Sequence, residues 1–171
     1  MNNSQTLTQL YSYRYTDWET YAFAIAFVVG NIVLPQLCHL IPGGGLIWLP
    51  IYFFTLIGAY KCGWRVGLLT AIASPIVNHT LFGMPSSAVL LPIVVKGLFL
   101  AITAAFAARK WGQPKISVLL GVVMMYQLAG MIFEWTISGS LYIALQDVRI
   151  GIPGLIVQVL GGWFVLKTLK I

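Results

Sequence analysis

The chain has 171 residues, 59% of them hydrophobic and 8% charged, with a formal net charge of +6 and a mean hydropathy of +0.88. A soluble domain carries about 25% charged residues, so this one cannot cover a water-facing surface. A soluble enzyme, a nucleic-acid binder and a disordered chain are excluded, and the expected class is a small all-α integral membrane protein with the lipid bilayer as its surroundings.

Residues 1–15 (MNNSQTLTQLYSYRY) are polar and lack the basic-then-apolar order of a signal peptide, so they read as a cytoplasmic N-terminal tail. Residues 16–171 read as one transmembrane domain built from six apolar segments. The first covers 18–40, opened by Thr16-Asp17-Trp18-Glu19, which has the spacing of a capping box. The second covers 46–60, after the break Pro42-Gly43-Gly44-Gly45; it is short of the roughly 20 residues a crossing needs and is expected to be tilted or partly irregular. The remaining segments are 64–82, 88–108, 116–137 and 150–169. Their apolar runs are continuous, without period-two alternation, which favours a helical bundle over a β-barrel.

Six crossings put Arg14, Lys61, Arg65, Arg109, Lys110, Lys115, Lys167 and Lys170 on one side and Arg149 on the other. The positive-inside rule then places both termini in the cytoplasm. Trp18, Trp64, Trp111 and Trp163 fall at the inner interface, Trp48 and Trp135 at the outer one. Cys38 and Cys62 fall at opposite faces, so no disulfide is expected. No G-x-x-x-x-G-K-[ST] loop is present, which leaves any uphill transport to a partner or an ion gradient. No cluster has metal-ligand spacing, and neither a metal nor a cofactor is expected.

Lys96 is the most informative residue, roughly 12 Å from the outer end of its helix at 1.5 Å per residue. A lysine at that depth costs about 2.5–3.5 kcal/mol on insertion scales, so it must face protein or water. Glu134, roughly 6 Å deep by the same rise, is within reach of its stem. Two readings stay open: a structural ion pair joining two helices, or a substrate site in which Lys96 receives an anionic group. Thr70, Ser74 and Asn78 form a stripe at four-residue spacing, Gln127 shares a face with Glu134, and Gln158 lies among Gly151, Gly154, Gly161 and Gly162. Each stripe serves equally well for interhelical hydrogen bonds; their similar depth points to a cavity in the outer half. His39 and His79 read as partly wet side chains at its mouth, and Asp147 and Arg149 as solvated loop charges that can also gate a site. The first segment has almost no polar side chain in its middle. It carries Ala22, Ala26 and Gly30 at four-residue spacing, a smooth face for close helix packing with a partner or within the bundle.

The pattern resembles the substrate-binding (S) components of energy-coupling factor (ECF) vitamin importers. The residues that carry the likeness are Ala22-x-x-x-Ala26, Leu49-Pro50-Ile51-Tyr52, Gly63-Trp64-Arg65-Val66-Gly67-Leu68-Leu69 and Phe82-Gly83-Met84-Pro85, over roughly residues 16–171. The resemblance implies a six-helix subunit of a bacterial or archaeal cytoplasmic membrane. It binds a small water-soluble vitamin and works with a transmembrane coupling subunit and two cytoplasmic ATPases. It also implies that Ala22 and Ala26, with Gly30 on the same stripe, dock on the coupling subunit, and that the loop 40–48 covers the ligand. Trp48 and Trp135 would stack on or line the ligand, beside Lys96, Glu134, Asn78, His79, Gln127 and Gln158. A carboxylate on the ligand suits Lys96; a neutral or cationic one suits a Lys96 already neutralised by Glu134.

A self-contained secondary transporter or channel, proton-coupled through Glu134, is the competing reading. The lack of inverted repeats and paired broken helices counts against it. A membrane enzyme has no support, since G-x-S-x-G, H-E-x-x-H and clustered intramembrane carboxylates are all missing.

Overall fold

The computed structural model describes residues 10–169, and among them the chain is helical with no strand. Helix α1 is Trp18–Cys38, α2 is Gly44–Trp48, and a 3-10 turn at Pro50–Tyr52 leads into α3, Phe53–Cys62. Then come α4 (Trp64–Phe82), α5 (Ser87–Trp111) and α6 (Ile116–Ser138). Two short helices, α7 (Leu141–Ala144) and α8 (Gln146–Ile150), precede α9 (Ile152–Thr168). Three of these helices, α1, α5 and α6, are long and apolar enough to cross a membrane, and α9 is a shorter apolar helix. All six apolar segments are thus mainly helical, and the second is broken as its length suggested.

The break has a specific cause. Leu49 sits between α2 and the 3-10 turn with φ of 45°, a left-handed conformation that is costly for any residue with a Cβ. Its side chain is buried, and its carbonyl faces the Gln158 amide on α9 at 3.5 Å. Tertiary contacts hold Leu49 there, and the chain cannot run straight from α2 into α3.

Helix α3 is the hub of the bundle. Every residue from Thr55 to Cys62 is buried, because α1, α4, α5 and α9 all pack around it. A helix enclosed on all sides has no polar face to offer, and Leu56, Ile57, Ala59 and Tyr60 supply the apolar contacts. Thr55 accepts from Asn31 and Lys61 Nζ donates to the Leu169 carbonyl at 2.9 Å, while the Tyr60 hydroxyl has no partner among the described residues. Close approach to α4 and α5 depends on Gly67, where a Cβ would stand 2.5 Å from Ala59 Cβ and 3.1 Å from Ala101 Cβ. The buried face of α5 continues the theme with Ala101, Ala104, Ala105, Ala107 and Ala108.

The described part of the N-terminal stretch is not a free tail. Tyr11 N–H donates to the Lys61 carbonyl (2.8 Å), Arg65 Nη1 to the Tyr13 carbonyl (2.9 Å) and Tyr21 Oη to the Tyr15 carbonyl (3.0 Å). Tyr13 stacks on Phe23 and Tyr15 meets Trp64 edge-on, so residues 10–15 lie across the α3–α4 junction; residues 1–9 lie outside the described residues. The capping box is not formed either. Asp17 is the N-cap residue of α1, but its carboxylate accepts from the Arg14 N–H at 2.7 Å, because the turn at 14–17 points it backwards.

One end of the bundle gathers the cations. There Arg65 stacks on Trp64, Lys110 on Trp111 and Lys167 on Trp163, at 4.8, 4.8 and 4.5 Å from the ring centres. Such amphipathic pairs suit a membrane–water interface.

Candidate functional site

At the opposite end lies a buried charge triad. Helix α5 carries Lys96 on its inner face, 3% exposed, and its ammonium donates to Glu134 Oε2 on α6 at 2.5 Å and to Asp147 Oδ2 on α8 at 2.8 Å. The two acidic side chains are 12% and 14% exposed, so the cluster is nearly closed but not sealed. Gly130, one helical turn before Glu134, leaves the space through which the lysine stem crosses α6; a Cβ there would stand 3.0 Å from Lys96 Cε and closer still to Cγ. The Lys96–Glu134 pairing follows from their depths. Asp147 is a correction: it was expected as a solvated loop charge, and the folding of 139–151 into α7 and α8 brings it back over α5 instead. Its neighbour Arg149 does remain outside, exposed and stacked 3.6 Å over the Tyr142 ring.

Beside the triad runs a second polar chain. Tyr126 Oη donates to Gln158 Oε1 at 2.7 Å and accepts from Gln127 Nε2 at 3.1 Å. Tyr52 packs on Tyr126 with ring centres 5.5 Å apart. Gln127 and Gln158 are therefore near the triad but occupied with each other through a tyrosine, a linking residue that its apolar surroundings had concealed.

Asn78 belongs elsewhere. The stripe on α4 faces α1, where Asn31 is fully buried. Asn31 Nδ2 donates to Thr55 Oγ1 (3.0 Å) and Ser74 Oγ (3.1 Å), its Oδ1 caps the Phe54 N–H (3.1 Å), and its carbonyl accepts from Asn78 Nδ2 (2.9 Å). Thr70 is turned back on its own helix, bonded to the Val66 carbonyl. One asparagine thus ties α1, α3 and α4 together, and the first segment does have a polar centre.

Three other expected site residues stand apart. Trp135 is half exposed at 49% and points out of the bundle, while Trp48 is exposed at the end of α2. His79 Nδ1 meets the Pro85 carbonyl at 2.7 Å and fastens the α4–α5 connection rather than lining a cavity. A groove of about 590 Å³ between α5 and α6, lined by Phe106, Trp111, Gly121 and Met125 among others, lies toward the cationic end. None of the residues singled out for the site lines it.

The segment 40–48 packs on the elements that follow α7. Helix α2 packs on α8 and α9, and Gly154 is what admits it: a Cβ there would collide with the Trp48 carbonyl and stand 2.9 Å from that of Ile47. At Gly151 a Cβ would stand 2.6 Å from Leu49 Cδ1, so the same glycine-rich start of α9 also seats Leu49.

On α1, Ala22 and Ala26 lie on the exposed face with Ile25, Val29 and Val33. Gly30 does not share that face. A Cβ there would lie 2.7 Å from the Phe54 ring, so this glycine serves packing between α1 and α3. Compared with protein-family models, curated proteins and solved structures, the chain matches none of them.

Proposed function

We propose that the chain crosses the membrane six times with both termini cytoplasmic and serves as the substrate-binding subunit of an ECF-type importer. In this role it captures a small water-soluble micronutrient at the triad end and passes it inward with a coupling subunit and two ATPases. The observation that carries this reading is the triad itself, three charges buried at one end of an apolar bundle. Charges in such a place are costly, and packing alone would be met as well by apolar side chains. The exposed Ala22–Ala26 face supports the second half of the reading, since no helix among the described residues covers it.

Of the two ligand expectations, the pairing of Lys96 supports the neutral or cationic one. Lys96 already holds two carboxylates, so it is not a free receptor for an anionic group.

The test is co-purification with the host's coupling subunit and ATPases, paired with vitamin uptake by cells expressing all four chains. Ala22→Leu and Ala26→Leu are expected to abolish both while leaving the fold intact. Flux into liposomes containing this chain alone, driven only by an ion gradient, would replace the importer reading with a secondary transporter.

A further inference from the structure

The groove of about 590 Å³ between α5 and α6 has no part in the triad. On α5 its wall runs from Ile102 to Trp111, roughly 14 Å at 1.5 Å per residue. That is close to half of the roughly 30 Å hydrocarbon core, so the groove has the depth of one bilayer leaflet. Both helices are long and apolar enough to cross a membrane, and Ile102, Phe106 and Met125 on its rims are exposed. The groove therefore opens on the outside of the bundle, where lipid lies. At Gly121 in its wall a Cβ would meet nothing within 4 Å, so the space reaches the backbone of α6. The Thr103 hydroxyl is turned back to the Phe99 and Leu100 carbonyls of its own helix, which leaves the deeper wall lined by carbon.

The mouth of the groove, by contrast, is cationic. Lys110 Nζ stands 4.8 Å from the ring centre of Trp111 and 6.0 Å from that of Phe106, and both rings line the groove. Lys115 immediately precedes α6, whose first turn brings Ser117 and Val118 into the wall. Residues 97–133 contain Arg109, Lys110 and Lys115 and no acidic residue. Lys110 and Lys115 are both exposed, and neither has an ion pair among the described residues.

From this arrangement we infer that the groove seats one acyl chain of an anionic phospholipid, with the headgroup phosphate on Lys110 and Lys115. A carbon-lined channel of leaflet depth suits the chain, and two lysines at its mouth suit the phosphate. A zwitterionic lipid brings its own cation to that mouth and leaves the lysines less well neutralised. A protein helix in the same place would have to present acidic residues at the matching depth or bury the lysines unpaired. The inference requires only that α5 and α6 cross the membrane, and it stands apart from the importer reading.

The experiment titrates purified full-length protein in mild detergent with dioleoyl phosphatidylglycerol or dioleoyl phosphatidylcholine, which share their acyl chains. Native mass spectrometry counts the bound lipid. One phosphatidylglycerol per chain is expected to bind about fivefold tighter than phosphatidylcholine, or more. Lys110→Gln and Lys115→Gln are each expected to weaken phosphatidylglycerol about fivefold and to leave phosphatidylcholine unchanged. Lys167→Gln removes a cation stacked on Trp163 at the same end but outside the groove, and is expected to change neither. Gly121→Leu fills the groove and is expected to weaken both lipids about threefold or more. Equal binding of the two lipids would overturn the inference, as would a loss in Lys167→Gln matching that in Lys110→Gln. Unchanged lipid binding in Gly121→Leu would overturn it too, and a concurrent loss of self-association would give the groove to a helix of a second copy. Should Gly121→Leu fail to fold, the exposed lysines decide: lost preference for phosphatidylglycerol in Lys110→Gln sustains the inference, and retained preference overturns it.

Discussion

The backbone of Gly130 on α6 lies directly under the stem of Lys96 on α5, and the space a methyl group would need there is filled by Lys96 Cγ. The charged end of the lysine can swing; its stem near the backbone cannot.

Gly130→Ala is therefore expected to push Lys96 off its two carboxylates and to destabilise the protein by about 1–3 kcal/mol, the usual range for overpacking. Gly121 on the same helix is the internal control, since a Cβ there meets nothing within 4 Å. Gly121→Ala should be neutral or stabilise by about 0.5–1 kcal/mol through helix propensity. Thermal unfolding of the two variants in one detergent compares them; equal midpoints would mean that the Lys96 stem is free to move.

Asn31→Leu is expected to be the most damaging single polar-to-apolar change on α1. It removes the side-chain bonds to Thr55, Ser74 and the Phe54 amide at once, each worth roughly 0.5–1.5 kcal/mol. Gln36→Leu is the comparison, because Gln36 makes one long contact of 3.4 Å to Asn78. A drop in folded yield confined to the Asn31 variant is the expected result, measured by size-exclusion profile after heating.

Tyr60→Phe is expected to act in the opposite direction. The Tyr60 hydroxyl is buried with no hydrogen-bond partner among the described residues, and removing such a group recovers about 1 kcal/mol or more of desolvation cost. A raised unfolding midpoint checks it; a lowered one would show that the hydroxyl has a partner under native conditions.

The sequence made the helical segments legible because an apolar run of helical length leaves little choice of structure in a bilayer. It also paired Lys96 with Glu134, since depth along two adjacent helices follows from counting residues. Partnership across distant segments was not legible in the same way. The Thr70–Ser74–Asn78 stripe was visible, but its direction depends on Asn31, one polar residue in an otherwise apolar run. Asp147 looked like a loop charge because residues 139–151 show no helical period, and only the three-dimensional course of α7 and α8 returns it to Lys96. Trp48 and Trp135 were grouped with the site by depth alone, and depth says nothing about which way a side chain faces. Gly30 illustrates the same limit: four-residue spacing defines a stripe, while the helix's rotation decides whether Phe54 or the surroundings meets it.

The enclosure of α3 sets an order on biosynthesis. Ten residues cannot hold a place across a bilayer by themselves, and the Lys61–Leu169 bond that closes over its end joins residues 108 positions apart. Until α9 has left the ribosome, α3 has one flank open and a lysine without its carbonyl. A chain halted before α9 therefore leaves one side of α3 uncovered and Lys61 without the Leu169 carbonyl. The enclosure of the second segment thus depends on a helix about ninety residues further along the chain.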